Sequence, residues 1–409
     1  MLADVPIILI LVGLVAYLVL AGADFGAGFW TLFPGGGRAG PAATREHARH
    51  AMGPVWEANH VWLIFILVVC WTAYPLAFAS ITSTLSIPLF IAALGIIFRG
   101  VSYALRGQLD GAPGQRAVER VFALSSILTP FALGTVAGGI AAGRVPVGNA
   151  KGDLVTSWLN PTGILIGVLM IAFSAYLAAV YLAADARRLD ERELALEFRA
   201  RALGSAVIAG ALAFAGLLVV HYDARPLWDG LTGGAGFAMI SVSAVAGILT
   251  LVLVWRGSFG PARVSAALAV AAIVAGWAVA QEPRFLPGLT ITQAAAGRST
   301  LWAVVIAAAV GALVLIPSLA LLFRLFLHGL LFPATEPAAA APQSTLAAEP
   351  WPARALAPLA GGCLVAGTFL IVLLGSGWAH VVGILCLFAC AVCVFVLATA
   401  STDEETPDL

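Results

Sequence analysis

The reading of this chain turns on Gly53-Pro-Val-Trp-Glu-Ala-Asn-His-Val-Trp62, which opens an apolar segment that runs on through Leu63-Ile-Phe-Ile-Leu-Val-Val-Cys-Trp-Thr-Ala-Tyr74. A run of this length with no further charge is long enough to cross a hydrocarbon core as a helix. Its first turns nevertheless hold a carboxylate (Glu57), an amide (Asn59), an imidazole (His60) and two indoles (Trp56 and Trp62). Ionisable groups are costly in a membrane helix and mark functional positions by default. Asp24, embedded in the preceding apolar run, is the second member of the same set.

The rest of the chain has the same character. Of its 409 residues, 61% are hydrophobic and only 10% charged, and the mean hydropathy is +1.00; this is the profile of an all-α integral membrane protein. Basic and acidic residues balance at 21 each, which gives no argument for nucleic acid. Windows of about 20 apolar residues predict eleven transmembrane helices near 6–33, 54–74, 79–98, 121–143, 161–184, 203–220, 237–255, 264–281, 300–324, 357–376 and 378–399. The first run starts almost at Met1 without a basic leader and reads as a retained helix, not a cleaved signal. Pro75 falls in the break between the second and third spans, where a helix can stop without losing buried hydrogen bonds. The five cysteines lie inside apolar spans with no metal or disulfide spacing, and read as packing residues.

Orientation follows from the basic residues. With the N-terminus outside, sixteen of the 21 lysines and arginines face the cytoplasm and five the outer side, a clear positive-inside bias. An odd helix count then puts the acidic Asp403–Asp408 tail in the cytoplasm. Three parts result: a membrane domain over 1–330, a cytoplasmic Pro/Ala-rich linker over 331–356 and an extra two-helix hairpin over 357–409.

At ~1.5 Å per residue, Asp24 sits roughly 13 Å before the end of its span at Phe33. An ionised carboxylate there must be paired, hydrated or protonated. Gly22, Gly26 and Gly28 would let another helix come close on that side. Two readings stand: a proton-relay group, or an acid that hydrogen-bonds a neighbouring helix. Glu57 and His60, three residues apart, share one helix face and make a reasonable proton entry; they are too few for a metal. Trp56 and Trp62 read most simply as interfacial anchors. Arg99, at the end of the third span, either pairs with a carboxylate or snorkels to the interface, the simpler expectation. Asn160 is a helix N-cap followed by Pro161 at the first helical position. Tyr103, Tyr176, Tyr181 and Trp277 are aromatic enough to line a cofactor, though single aromatics in such helices usually pack. Covalent haem attachment, Walker and dinucleotide motifs do not occur, and His60 and His380 are the only histidines near spans. The chain alone is poorly equipped for redox chemistry.

Ala23-Asp-Phe-Gly-Ala-Gly in the first helix, the Gly53–Leu63 stretch, Phe98-Arg-Gly after the third and Asn160-Pro-Thr-Gly at the fifth together resemble subunit II of cytochrome bd-type quinol oxidases, collinearly over about residues 1–330. The resemblance implies nine family-type helices, two four-helix bundles plus one, with the C-terminal pair lying outside the pattern. It implies a subunit that ligates no haem and pairs with a haem-bearing subunit I holding b- and d-type haems and the quinol-oxidising loop. The complex oxidises quinol, reduces dioxygen to water and draws protons from the cytoplasm. Asp24 and Glu57 match family acids associated with the proton path, with Trp56, Asn59 and His60 in support. His60 is a position where members differ, Gln being another choice. Many members have a second aspartate at the position of Ala21, so a path needing two acids there would have lost one. A small accessory subunit, membrane lipids and quinone complete the expected partners, and the expected location is the cytoplasmic membrane. The alternative, from another class, is a stand-alone proton-coupled secondary transporter using the same acids; against it, no paired Gly/Pro-broken helices occur in matching halves.

Overall fold

A segment with no water to satisfy its amides must close its hydrogen bonds within itself, and the apolar runs do so as helices. The computed structural model describes residues 2–35, 37–50, 53–105 and 112–327 and scattered helical positions between 358 and 393; side chains are described over the same residues except 50, 53–58, 112–114 and 322–327. After a 3-10 turn at Leu2–Asp4, the helices in order are α1 (Val5–Leu32), α2 (Gly40–His50), α3 (Gly53–Ala73), α4 (Pro75–Thr84), α5 (Ser86–Leu105), α6 (Ala112–Ala141), α7 (Pro161–Arg188), α8 (Arg192–Asp223), α9 (Arg225–Thr232), α10 (Gly234–Trp255) and α11 (Phe259–Gln281). An antiparallel ribbon, β1 (Arg284–Leu286) and β2 (Leu289–Thr290), then leads into α12 (Ile291–Ala294) and α13 (Arg298–Leu327).

Eight of these helices are long and apolar enough to cross a membrane, and Asn59–Ala73 within α3 is a shorter apolar helix. The chain is therefore the all-α membrane protein expected, with eight such spans among the described residues where the sequence predicted eleven. The predicted last pair and the linker before it lie outside the described residues, isolated positions apart. By its contacts the chain divides into two compact units, Met1–Pro333 and Ala334–Leu409.

Several boundaries differ from expectation for local reasons. The third span is broken at Leu85 into α4 and α5, where Ser80, Thr82 and Ser83 turn their hydroxyls back onto carbonyls three or four residues earlier, a pattern that bends helices. The sixth is carried outward through the charged Arg192–Arg201 stretch as the first turns of α8. The basic segment after Arg38 is a helix, α2, and the outer loop at Gln281–Pro287 contributes the ribbon. The capping expectation at α7 holds, since Asn160 Oδ1 accepts from Gly163 N at 2.8 Å. A second cap comes from the last residue of α8: Asp223 Oδ2 accepts from the amide and the hydroxyl of Thr162 (3.1 and 2.6 Å) while Arg144 Nη2 donates to its Oδ1 at 2.8 Å.

Packing in the first unit is inverted relative to a water-soluble protein. Large apolar side chains point outward, among them Phe214, Leu313 and Val264, as suits a surface in contact with lipid tails. The interior holds small and hydroxylated residues: α7 buries Ala175, Ala178, Ala179, Ala183 and Ala186. Backbones can then approach closely. α1 packs against α3, α6, α7 and α11, and α7 against α6, α8 and α11. Hydroxyls and an indole bond across the seams: Ser265 to Ala246 O (2.8 Å), Ser243 to Ala269 O (2.9 Å) and Trp30 Nε1 to Ala175 O (2.9 Å).

At the α1/α7 contact a Cβ on Gly26 would overlap the carbonyl oxygen of Ser174 and crowd Ala178. Gly26→Ala should cost about 1–3 kcal/mol by overpacking, read as a lowered thermal midpoint of the purified protein. Gly247→Ala, where nothing lies within 4 Å of the new methyl, should leave the midpoint unchanged or raise it.

Candidate functional site

The sequence marks Asp24 as an acid that must find a partner, and the fold supplies one from another helix. Arg99 of α5 reaches Asp24 of α1, its Nη2 donating to Oδ1 at 2.5 Å and Nε to Oδ2 at 3.2 Å. Nη2 also donates to the backbone oxygen of Asp24 at 2.9 Å, and Nη1 to Ser126 Oγ of α6. Ser126 in turn donates to Phe122 O at 2.6 Å. The guanidinium lies over the rings of Phe122 and Phe25, 4.2 and 5.1 Å from their centroids, a favourable placement for a cation. Arg99 and Asp24 are 1% and 2% exposed. From α3, Asn59 Nδ2 donates to Asp24 Oδ2 at 3.2 Å. Four helices thus meet at one ion pair.

The snorkelling expectation for Arg99 is therefore overturned. α5 does not end at residue 98 but continues to Leu105, so Arg99 lies well inside the helix with a carboxylate facing it. Gly28 makes room: a Cβ there would overlap the Ser126 side chain and crowd Arg99 Nη1. Gly22 faces Leu177 and Ser174 of α7 instead. Trp62, read as an interfacial anchor, is half-buried and packs against the cluster of Tyr17, Ala21 and Phe25. Ala21 itself is 2% exposed in that cluster.

Of the residues singled out in sequence, the structure brings Asp24, Asn59 and Arg99 together and adds Ser126. His60, the next residue in α3, is half-buried. Trp56 and Glu57 belong to the first turns of α3, and their side chains lie outside the described residues. Ser126 was missed, although adjacent serines at 125 and 126 in an apolar run are a signal that a polar group must be met there. Asn59 Oδ1 is buried without a hydrogen-bond partner among the described residues.

A haem does not fit the imidazoles that are described with their partners. His47 Nε2 lies 3.0 Å from Leu182 O and its Nδ1 3.4 Å from Glu191 Oε2, so both ring nitrogens are committed. Both ring nitrogens of His221 face Arg225 Nη1. Among the described residues no group of three or more His, Cys, Asp or Glu could hold a metal ion.

Comparison with known proteins agrees with this architecture. Residues 2–326 match the family model described as cytochrome bd terminal oxidase subunit II. Over 133 residues the chain is 32% identical to cytochrome bd ubiquinol oxidase subunit 2 of Bacillus subtilis (strain 168), an alignment spanning 32% of this chain and 38% of that relative. It is 24% identical over 323 residues to cytochrome bd-I ubiquinol oxidase subunit 2 of Escherichia coli (strain K12), which covers 71% of this chain and 82% of the relative. A chain of the bd oxidase structure from Geobacillus thermodenitrificans superposes with a TM-score of 0.66 at 26% identity, covering 80% of this chain and 99% of that one.

Removing one partner of a buried pair strands a charge and costs about 3–5 kcal/mol, whereas neutralising both costs far less. Arg99→Gln alone should therefore lower the thermal midpoint and the yield of folded protein markedly, and Asp24→Asn combined with Arg99→Gln should recover much of the loss. A double-mutant cycle on the thermal midpoint measures the coupling; additive effects would show that the two side chains do not act as a pair.

Proposed function

Because this chain belongs to the cytochrome bd terminal oxidase subunit II family, we propose that it is the non-haem-ligating subunit of a bd-type quinol:oxygen oxidoreductase, and that it supports a haem-bearing subunit I while contributing part of a cytoplasmic proton path. The b- and d-type haems belong, on this reading, to the partner, which also carries the quinol site. Nine helices of the first unit form the family-type membrane domain, the residues beyond 356 are an appended hairpin, and the N-terminus faces outward with the arginine-rich ends of α7 and α8 in the cytoplasm. The ring nitrogens of His47 and His221 already face other groups, which is in keeping with haems held elsewhere.

The observation that carries the proton-path reading is the hydrogen bond from Asn59 to Asp24. It joins the acid of α1 to the helix that carries Glu57 and His60. Arg99 holds Asp24 in place and offsets its charge; a proton passing this point meets a fixed pair of opposite charges. No observation favours the stand-alone transporter.

The test is Asp24→Asn and, separately, Glu57→Gln, each in the whole complex purified from membranes. Loss of a proton-transfer group is worth about 100-fold or more in rate, so quinol-dependent oxygen consumption per haem should fall steeply in the complex that assembles, while the stranded Arg99 lowers the yield of the Asp24→Asn complex. Full turnover in an assembled Asp24→Asn complex would remove Asp24 from the path. Loss of haem together with turnover would leave it a purely structural role.

A further inference from the structure

Away from the Asp24–Arg99 pair, the ends of four spans enclose a basic cleft of about 220 Å³. Its lining includes Arg187 from the last turn of α7, Arg192 and Arg199 from the first turns of α8, Arg256 after α10, and Gly257 and Phe259 at the turn into α11; no acidic side chain lines it. Arg187, Arg192 and Arg256 are exposed, and among the described residues none of them is held in an ion pair. Arg199 is half-buried and donates through Nη2 to Trp255 O, the end of α10, while its Nε is buried without a partner among the described residues.

Helix dipoles account for only part of this cluster. Cations at a helix C-terminus complement the exposed carbonyls, which explains Arg187 and Arg256. Arg192 and Arg199 stand at the opposite, N-terminal end of α8, where the dipole disfavours positive charge. Four guanidinium groups around one cleft with no carboxylate in it repel one another, and an anion between them relieves that repulsion. The turn is built to keep the space open. Gly257 has φ +76°, and the bonds from Gly257 N to Val254 O and from Ser258 N to Leu253 O (3.1 and 2.8 Å) stop α10 tightly, with nothing within 4 Å of where a Cβ would stand on Gly257.

We propose that this cleft binds the phosphate of an anionic phospholipid headgroup. Guanidinium groups match phosphate oxygens in charge and in bidentate geometry. The cleft lies where the candidate spans α7, α8, α10 and α11 end, the level at which lipid phosphates lie and at which each basic side chain adds to the attraction of anionic lipid. Leu196 in its lining and Trp255 beside it are 52% and 63% exposed, an apolar flank for the acyl chains that a free phosphate ion would not need.

The test uses the full chain with whatever partner co-purifies, exchanged from detergent into mixed micelles carrying phosphatidylglycerol or phosphatidylcholine, and native mass spectrometry to count retained lipid. The parent should keep phosphatidylglycerol in preference to phosphatidylcholine. Arg192→Gln combined with Arg256→Gln should weaken retention about thirtyfold, from the contribution expected of two basic residues. Arg192→Lys with Arg256→Lys should restore most of it, at a thermal midpoint equal to that of the Gln pair. Equal retention by the parent and the Gln variant, or no preference between the two lipids, would overturn the proposal. So would inorganic phosphate at millimolar concentration displacing no lipid yet protecting the parent and not the Gln variant against heating, since the cleft would then be a site for a soluble anion.

Discussion

A guanidinium and a carboxylate taken out of water together set the terms on which this membrane domain packs. Each charge alone would cost several kcal/mol to bury, and each is answered by the other and by further hydrogen bonds. Arg99 uses its Nε and both Nη atoms toward Asp24 and Ser126, and its guanidinium lies over the rings of Phe25 and Phe122. Since Asp24, Asn59, Arg99 and Ser126 come from α1, α3, α5 and α6, the pair fixes the register of four helices at once.

That register is possible because the helices come close. Lipid tails are as apolar as leucine, so burying large hydrophobic residues between membrane helices brings little net gain; contact area between backbones and hydrogen bonds across seams decide instead. Gly26 and Gly28 sit where any side chain would strike α7 or the Ser126–Arg99 contact, and the alanines of α7 continue the same close surface. The large residues, displaced from the interior, form the outer face.

On one surface α2 acts as a strap. Glu197 of α8 accepts from Ala39 N and Thr44 (3.1 and 3.4 Å), Arg45 Nε donates to Thr31 O at 3.3 Å, and Arg49 reaches Glu119 of α6 at 3.1 Å. The helix is polar, and its partners lie on α1, α6, α7 and α8. It is therefore tied to the helices it lies against, and much of the connection between α1 and α3 is an ordered, hydrogen-bonded helix and not a bare loop.

By itself the sequence determined the class of this protein and the identity of its costly residues. Runs of apolar residues long enough to cross a bilayer can satisfy their amides only as helices, so fold class was legible from composition and length, and an acid in such a run is conspicuous wherever it lies. The motif around Gly53–Leu63 likewise carried the family. Partners were not legible, because they are separated by 75 residues in the case of Arg99 and Asp24 and by 35 in that of Asn59, and nothing in the linear order says which face of which helix will meet which. Only the tertiary structure decided that Arg99 turns inward, that Trp62 packs beside the site, that the segment after Arg38 is a helix, and that arginines from three different chain segments surround one cleft. The physical reason is the same in each instance: hydropathy records how much a residue costs to bury, while the compensation for that cost comes from whichever distant group the packing of small residues brings within hydrogen-bonding reach.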